Sequence, residues 1–239
     1  MSENARKSMR TYWDEAARTN AAWYVDTTLD FDNPDLDKFF ETGRTVVAFA
    51  LDEAPVAPAG HGLAIEIGSG LGRICRALSE RFDRVLGLDI SEEMVRRARE
   101  LVDDPRITFE ASSGSDLRTV GDGAADLVLT FTVFQHIPDV GVIEGYVREA
   151  GRVLKPGGVF VFQWNNTPGA RRWALKRRLL GLLQRTGLGR ERYRRNAPEF
   201  LGSRVPLDRM RRAMTEGGMN LAGTKGLDTL YAFAWAVKQ

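Results

Sequence analysis

The chain has 239 residues, 43% of them hydrophobic, and a formal net charge of +2, which suits one sizeable core and selects no class of charged partner. A single cysteine, Cys75, excludes an intrachain disulfide and a cysteine-built metal centre, and the two histidines, His61 and His136, are too few and too far apart for a histidine-rich one. No apolar run approaches the roughly 20 residues of a membrane span, and no cleavable leader pattern is present, so the sequence predicts a cytoplasmic protein without a bound metal.

Four segments follow in chain order. Residues 1–60 form a polar and aromatic leader, predicted as a helical cap, with Tyr12, Trp13, Trp23 and Tyr24 on a helix and its exit. Those rings either close a pocket or pack the helix onto the core. In residues 61–164 apolar runs at 63–67, 84–90, 106–111, 125–134 and 157–163 alternate with helical patterns at 72–81, 92–101 and 142–154. Alternation of this kind closes as right-handed βαβ units and predicts a doubly wound α/β fold, a parallel sheet with helices on both faces. Ser91 before Glu92 and Glu93 marks a helix start, with acids at the positive end of the dipole.

The third segment, residues 165–204, is basic. Between 169 and 195 it carries ten Lys or Arg, among them Arg171 and Arg172, against the single acid Glu191, with Trp173 and six leucines in between. A basic amphipathic helix is the prediction, and an anionic substrate group, an anionic surface, a second subunit or its own core are its alternative occupants. Residues 205–239 then supply a helix at 205–217 and two closing strands at 219–223 and 229–237.

The stretch Glu66-Ile67-Gly68-Ser69-Gly70-Leu71-Gly72 leaves a buried strand and opens a helix. Its glycines allow backbone to approach a ligand closely. The dinucleotide fingerprint needs a further glycine where Arg73 stands, so nicotinamide cofactors are disfavoured. Asp89 ends the second strand nineteen residues after Gly70, where a carboxylate accepts both hydroxyls of a ribose.

Four motifs in order, EIGSGLG (66–72), GLDIS (87–91), FTVFQHIPD (131–139) and LKPGG (154–158), resemble those of class I S-adenosylmethionine-dependent methyltransferases over about residues 62–163. The resemblance implies a seven-stranded, mostly parallel sheet with one antiparallel strand. It also implies S-adenosyl-L-methionine as cofactor, with Gly68, Ser69, Gly70 and Gly72 as its loop, Asp89 on the ribose, Glu66 near the amino group and Ile90 against the adenine. The family's acid for the adenine amino group falls here on Ser113 and Gly114, with Asp116 as a substitute only if the loop rearranges. Arg73 is either a cofactor contact or a salt-bridged helix start. Phe131 is either pocket wall or core.

His136 is the one default candidate for a general base, although a histidine in this position of the family commonly fixes a turn. The implied activity is methyl transfer to an oxygen, nitrogen or carbon nucleophile of a small molecule, anionic or neutral, with Tyr12, Trp13, Trp23, Arg171 and Arg172 on the acceptor side. No DNA-binding module is appended, and the fourth motif lacks the Asn/Asp-Pro-Pro-aromatic signature of enzymes acting on base or glutamine nitrogens. An RNA, peptide or protein acceptor, a member that holds the cofactor without methylating, and a homodimer formed through the insertion stay open.

Overall fold

The computed structural model describes residues 3–169 and 202–239. The predicted basic helix, with Arg171 and Arg172, lies outside the described residues. At the centre stands β4 (Ala125–Thr130), read ADLVLT, with all six residues buried, as a strand covered on both faces requires. Strands β1 (Leu63–Ile67), β2 (Arg84–Asp89) and β3 (Ile107–Ala111) lie parallel on one side of it. On the other side β5 (Leu154–Trp164) is parallel, and β7 (Ala232–Lys238) and β6 (Met219–Lys225) complete the order β3-β2-β1-β4-β5-β7-β6. Strand β7 is antiparallel to both its neighbours. This is the doubly wound seven-stranded sheet that the sequence predicts.

Side-chain alternation divides the core into two layers. Ile65, Ile67, Phe160 and Phe162 pack under α5 (Val140–Val153) and α6 (Leu207–Glu216). Ala64, Leu127, Leu129, Val159 and Val161 face the other way, toward α2 (Leu36–Asp52), α3 (Arg73–Leu78) and α4 (Glu92–Leu101). Period-two strands under period-3.6 helices give both layers from one sequence. Among the described residues no helix is long and apolar enough to cross a membrane.

Three local differences from the sequence reading bear on the site. Helix α2 was not legible as a separate element, although Asp35 accepts from the Lys38 amide and caps it. Strand β4 stops at Thr130 instead of running to 134, because Thr132 takes a left-handed φ of 57° and 134–136 coil into a 3-10 turn. Helix α1 (Glu3–Val25) leaves helical geometry at Asn20, whose Oδ1 accepts from the Trp23 amide and restarts the helix like an N-cap.

Candidate active site

The carboxyl ends of β1, β2 and β4 open onto a cavity of about 810 Å³, the place where open α/β sheets bind ligands. At β1 the chain turns over the neighbouring strand, with the amides of Gly68 and Ser69 both donating to the Leu88 carbonyl at 2.7 and 3.0 Å. Gly68 has φ 76°, and a Cβ there would lie 2.2 Å from Val133 Cγ2. Only glycine fits. Gly70, at φ 51°, donates its amide to Asp89 Oδ2 at 2.8 Å, and Asp89 Oδ1 accepts from the Ser91 amide at 2.8 Å.

Two acids are therefore buried in this wall. Burial pushes the Asp89 carboxyl up from its ordinary value, against the pull of the Ser91 and Gly70 amides. Burial also drives Glu66 up to about 8, and the thiol of Cys75, 2.9 Å away and donating to Glu66 Oε2, only partly offsets that. The same burial, with Glu66 beside it, raises Cys75 well above a normal thiol. Ser69 Oγ is buried in the wall without a hydrogen-bond partner.

Arg73 is salt-bridged at the start of α3 and also borders the cavity. It is 5% exposed, pairs with Asp26 at 3.3 Å, donates to Thr42 Oγ1 at 2.6 Å, and still borders the cavity. Its guanidinium sits 5.8 Å from the rings of Phe39 and Phe131, so Phe131 is at once wall and packing partner. Ile90 and Gly114 border the cavity together; a Cβ on Gly114 would lie 2.4 Å from Ile90 Cδ1.

Around His136 the lining is built from other chemistry. Trp13 comes down from α1 to meet His136 edge-on at 5.4 Å. Beside it Gln135 Oε1 accepts from Gln163 Nε2 at 2.9 Å, and Gln163 Oε1 accepts from the Thr132 amide at 2.9 Å. Asn165, Arg204 and Tyr231 complete this part of the lining.

Several predicted residues fall outside the wall. Gly72 caps α3 and packs on Phe109, where a Cβ would come within 2.5 Å of the ring; its glycine serves the strand-to-helix crossing. Ser113 turns away to donate to Asp116 Oδ1 at 3.0 Å. Asp116 is held by Arg118, whose hydrogen bonds bring it down to about 2. Tyr12 packs on Trp13, and Trp23 packs between Tyr24 and Phe31. His61 is exposed and leans on Phe82.

The structure adds residues that the sequence did not single out. Asp26 and Thr42 hold Arg73, and Tyr146 borders the pocket from α5. Asp14 on α1 accepts from Ser91 Oγ at 2.6 Å and so ties the leader to the end of β2. The Gln135–Gln163 pair joins residues 28 apart. Only the capping pattern of Asp35 and the amide-rich QWNN run (163–166) were visible signals.

Comparison with known proteins agrees with this architecture. Residues 65–162 match the family model described as a methyltransferase domain. A ubiquinone biosynthesis O-methyltransferase from Methylococcus capsulatus is 28% identical over 169 residues, covering 69% of this chain and 65% of the relative. A 2-methyl-6-phytyl-1,4-hydroquinone methyltransferase from Synechocystis is 34% identical over 104 residues, covering 42% and 31%. The chain thus spans less than two thirds of the length of these curated relatives. Among solved structures, the magnesium protoporphyrin IX methyltransferase of Synechocystis with bound SAM superposes with a TM-score of 0.62 at 16% identity, covering 100% of this chain and 99% of that one. An S-adenosylmethionine-dependent methyltransferase from Mesorhizobium loti gives 0.58 at 19% identity, covering 78% and 95%. At such identities the likeness is one of fold.

Proposed function

We propose that this chain acts as a class I S-adenosylmethionine-dependent methyltransferase, through the methyltransferase domain that residues 65–162 match, and methylates an oxygen, nitrogen or carbon nucleophile of a small molecule. The observation that carries this reading is one cavity whose lining combines a glycine loop flanked by buried acids with a set of rings and amides.

The residues present fit the cofactor. Ser69 Oγ, buried without a partner in the wall, is a polar group awaiting one. Asp89 has lone pairs beyond those taken by Gly70 and Ser91 and accepts the ribose hydroxyls. Glu66 meets the amino group, directly or through water, and a cation there opposes the burial that now favours its protonated form. Ile90 and Gly114 bound the adenine slot. When bound, the sulfonium supplies an activated methyl on a good leaving group.

What remains for the chain is to hold the nucleophile in line and to keep water out. Trp13, His136 and Tyr231 present rings at the acceptor end, which supports a ring-bearing acceptor; the quinone- and hydroquinone-related names of the relatives support the same class. On this reading residues 1–60 act as a cap, 61–164 as the cofactor core, 165–204 as an acceptor lid and 205–239 as the part that completes the sheet. Arg171 and Arg172 of that lid, with Arg204 in the wall, favour an anionic group on the acceptor.

The test is turnover of S-adenosyl-L-methionine against phenols, hydroquinones, carboxylates and amines, read as acceptor-dependent S-adenosylhomocysteine and a methylated product by mass spectrometry. Ring-bearing acceptors should turn over. Cofactor binding with no turnover across the panel favours a noncatalytic role, and turnover on RNA or a peptide alone overturns the small-molecule assignment.

A further inference from the structure

His136 stands at the acceptor end next to two carboxamides whose orientations are fixed from the backbone outward. The Thr132 amide can only donate, so the Gln163 atom 2.9 Å from it is the oxygen. The Leu230 carbonyl can only accept, so the Gln163 atom 2.6 Å from it is the nitrogen. These two backbone groups leave Gln163 no second orientation. Its nitrogen also lies 2.9 Å from Gln135, which must accept there and therefore presents its oxygen. The nitrogen of Gln135 is thereby turned to His136, 3.2 Å from Nε2.

An amide nitrogen has protons and no acceptor capacity, so Nε2 of His136 must be the acceptor. We infer that Gln163 and Gln135 are positioning residues that hold His136 with its proton on Nδ1 and the lone pair of Nε2 committed to Gln135, so that the imidazole serves the acceptor as a hydrogen-bonding and ring-packing surface and not as its general base. An isolated histidine side chain favours the proton on Nε2, so the network selects the less favoured form. Burial supports the selection. Gln163 is 0% and Gln135 8% exposed, so the bond between the two amides is made away from competing solvent.

The inference deepens the proposed function in one respect, since it takes the His136 end as the acceptor's. It also bears on substrate. A nucleophile that arrives already ionised, such as a carboxylate or a phenolate, needs no proton acceptor from this imidazole, and that is the acceptor chemistry the network favours.

The test is a two-bond proton–nitrogen NMR correlation of the histidine rings in the full chain without added cofactor. With only His61 and His136 present, a His61→Gln variant assigns the spectrum. His136 should show Nδ1 protonated and Nε2 unprotonated by at least about tenfold, the size of one well-made hydrogen bond. Protonation on Nε2, or averaging over both nitrogens, overturns the inference. Gln163→Glu, which acts on the relay one residue before the ring, should turn the Gln135 amide round and move the proton to Nε2; a folded variant with the tautomer unchanged refutes the relay. If that variant does not fold, Gln135→Glu offers the ring an acceptor directly and should give the same reversal. Because the readout needs no methyl transfer, failed turnover with the predicted tautomer counts against the proposed function alone, and turnover with the opposite tautomer counts against this inference alone.

Discussion

The two ends of the cavity satisfy their buried polar groups by different means. Around the glycine loop the groups are ionisable, and each is answered by backbone amides or by one or two side chains: Asp89 by the amides of Gly70 and Ser91, Glu66 by Cys75, Arg73 by Asp26 and Thr42. Beside His136 they are carboxamides answered by each other and by distant backbone, with Gln163 tied to Thr132, Gln135 and Leu230. Buried ionisable groups make the first region sensitive to protonation and to loss of a partner, whereas a closed amide network makes the second sensitive to orientation. The difference suits a constant, charged ligand at one end and a variable one at the other.

The largest effect should follow from breaking the charged end. Asp26→Ala leaves Arg73 buried with Thr42 as its remaining side-chain hydrogen-bond partner, and unfolding in urea should show a loss of about 3 to 5 kcal/mol. Asp26→Asn should lose less. A loss below 1 kcal/mol for the alanine variant would mean that solvent reaches the arginine.

Glu66 gives the next effect, with a defined sign. Its folded-state value of about 8 lies above the ordinary 4.5, so in that window the folded chain keeps a proton that the unfolded chain has lost. Its contribution to stability is present below about pH 4.5 and is lost as the pH rises toward 8, at about 1.4 kcal/mol per unit. Glu66→Gln mimics the protonated acid and should flatten that part of the profile, so the variant gains on the wild type from pH 5 to pH 8. Parallel profiles would show that the carboxylate is ionised throughout.

At the amide end the expected losses are smaller. Gln163→Leu strips partners from the Thr132 amide and Gln135 Oε1 and should cost about 1 to 3 kcal/mol, with no pH dependence of its own. Thr132→Gly should stay within about 1 kcal/mol of the wild type, because glycine takes a φ of 57° without the strain a β-branched residue carries there. A pH-dependent Gln163→Leu would blur the contrast between the two ends.

The same contrast explains what was legible in the sequence. Strands β1, β2, β4 and β5 showed as apolar runs because parallel strands buried on both faces need them, and Gly68, Gly70 and Asp89 could be placed because their partners lie within one βαβ unit. The partners of Arg73 could not, since Asp26 and Thr42 come from the leader, 47 and 31 residues upstream. Gln135 and Gln163 meet only once the register of β4 with β5 is set. Gly72 and Ser113 were placed at the ligand by motif position, whereas packing on Phe109 and a bond to Asp116 occupy them. Arg171 and Arg172 lie outside the described residues.

Calorimetric titration of the full chain with S-adenosylhomocysteine, and in parallel with NAD, tests most directly whether the glycine loop and Asp89 form a sulfonium-cofactor site. Micromolar-range binding of the former and none of the latter is expected, with Asp89→Ala, checked for folding, losing about 1 to 3 kcal/mol of that affinity. NAD binding in its place, or an affinity that Asp89→Ala leaves unmoved, would contradict the assignment.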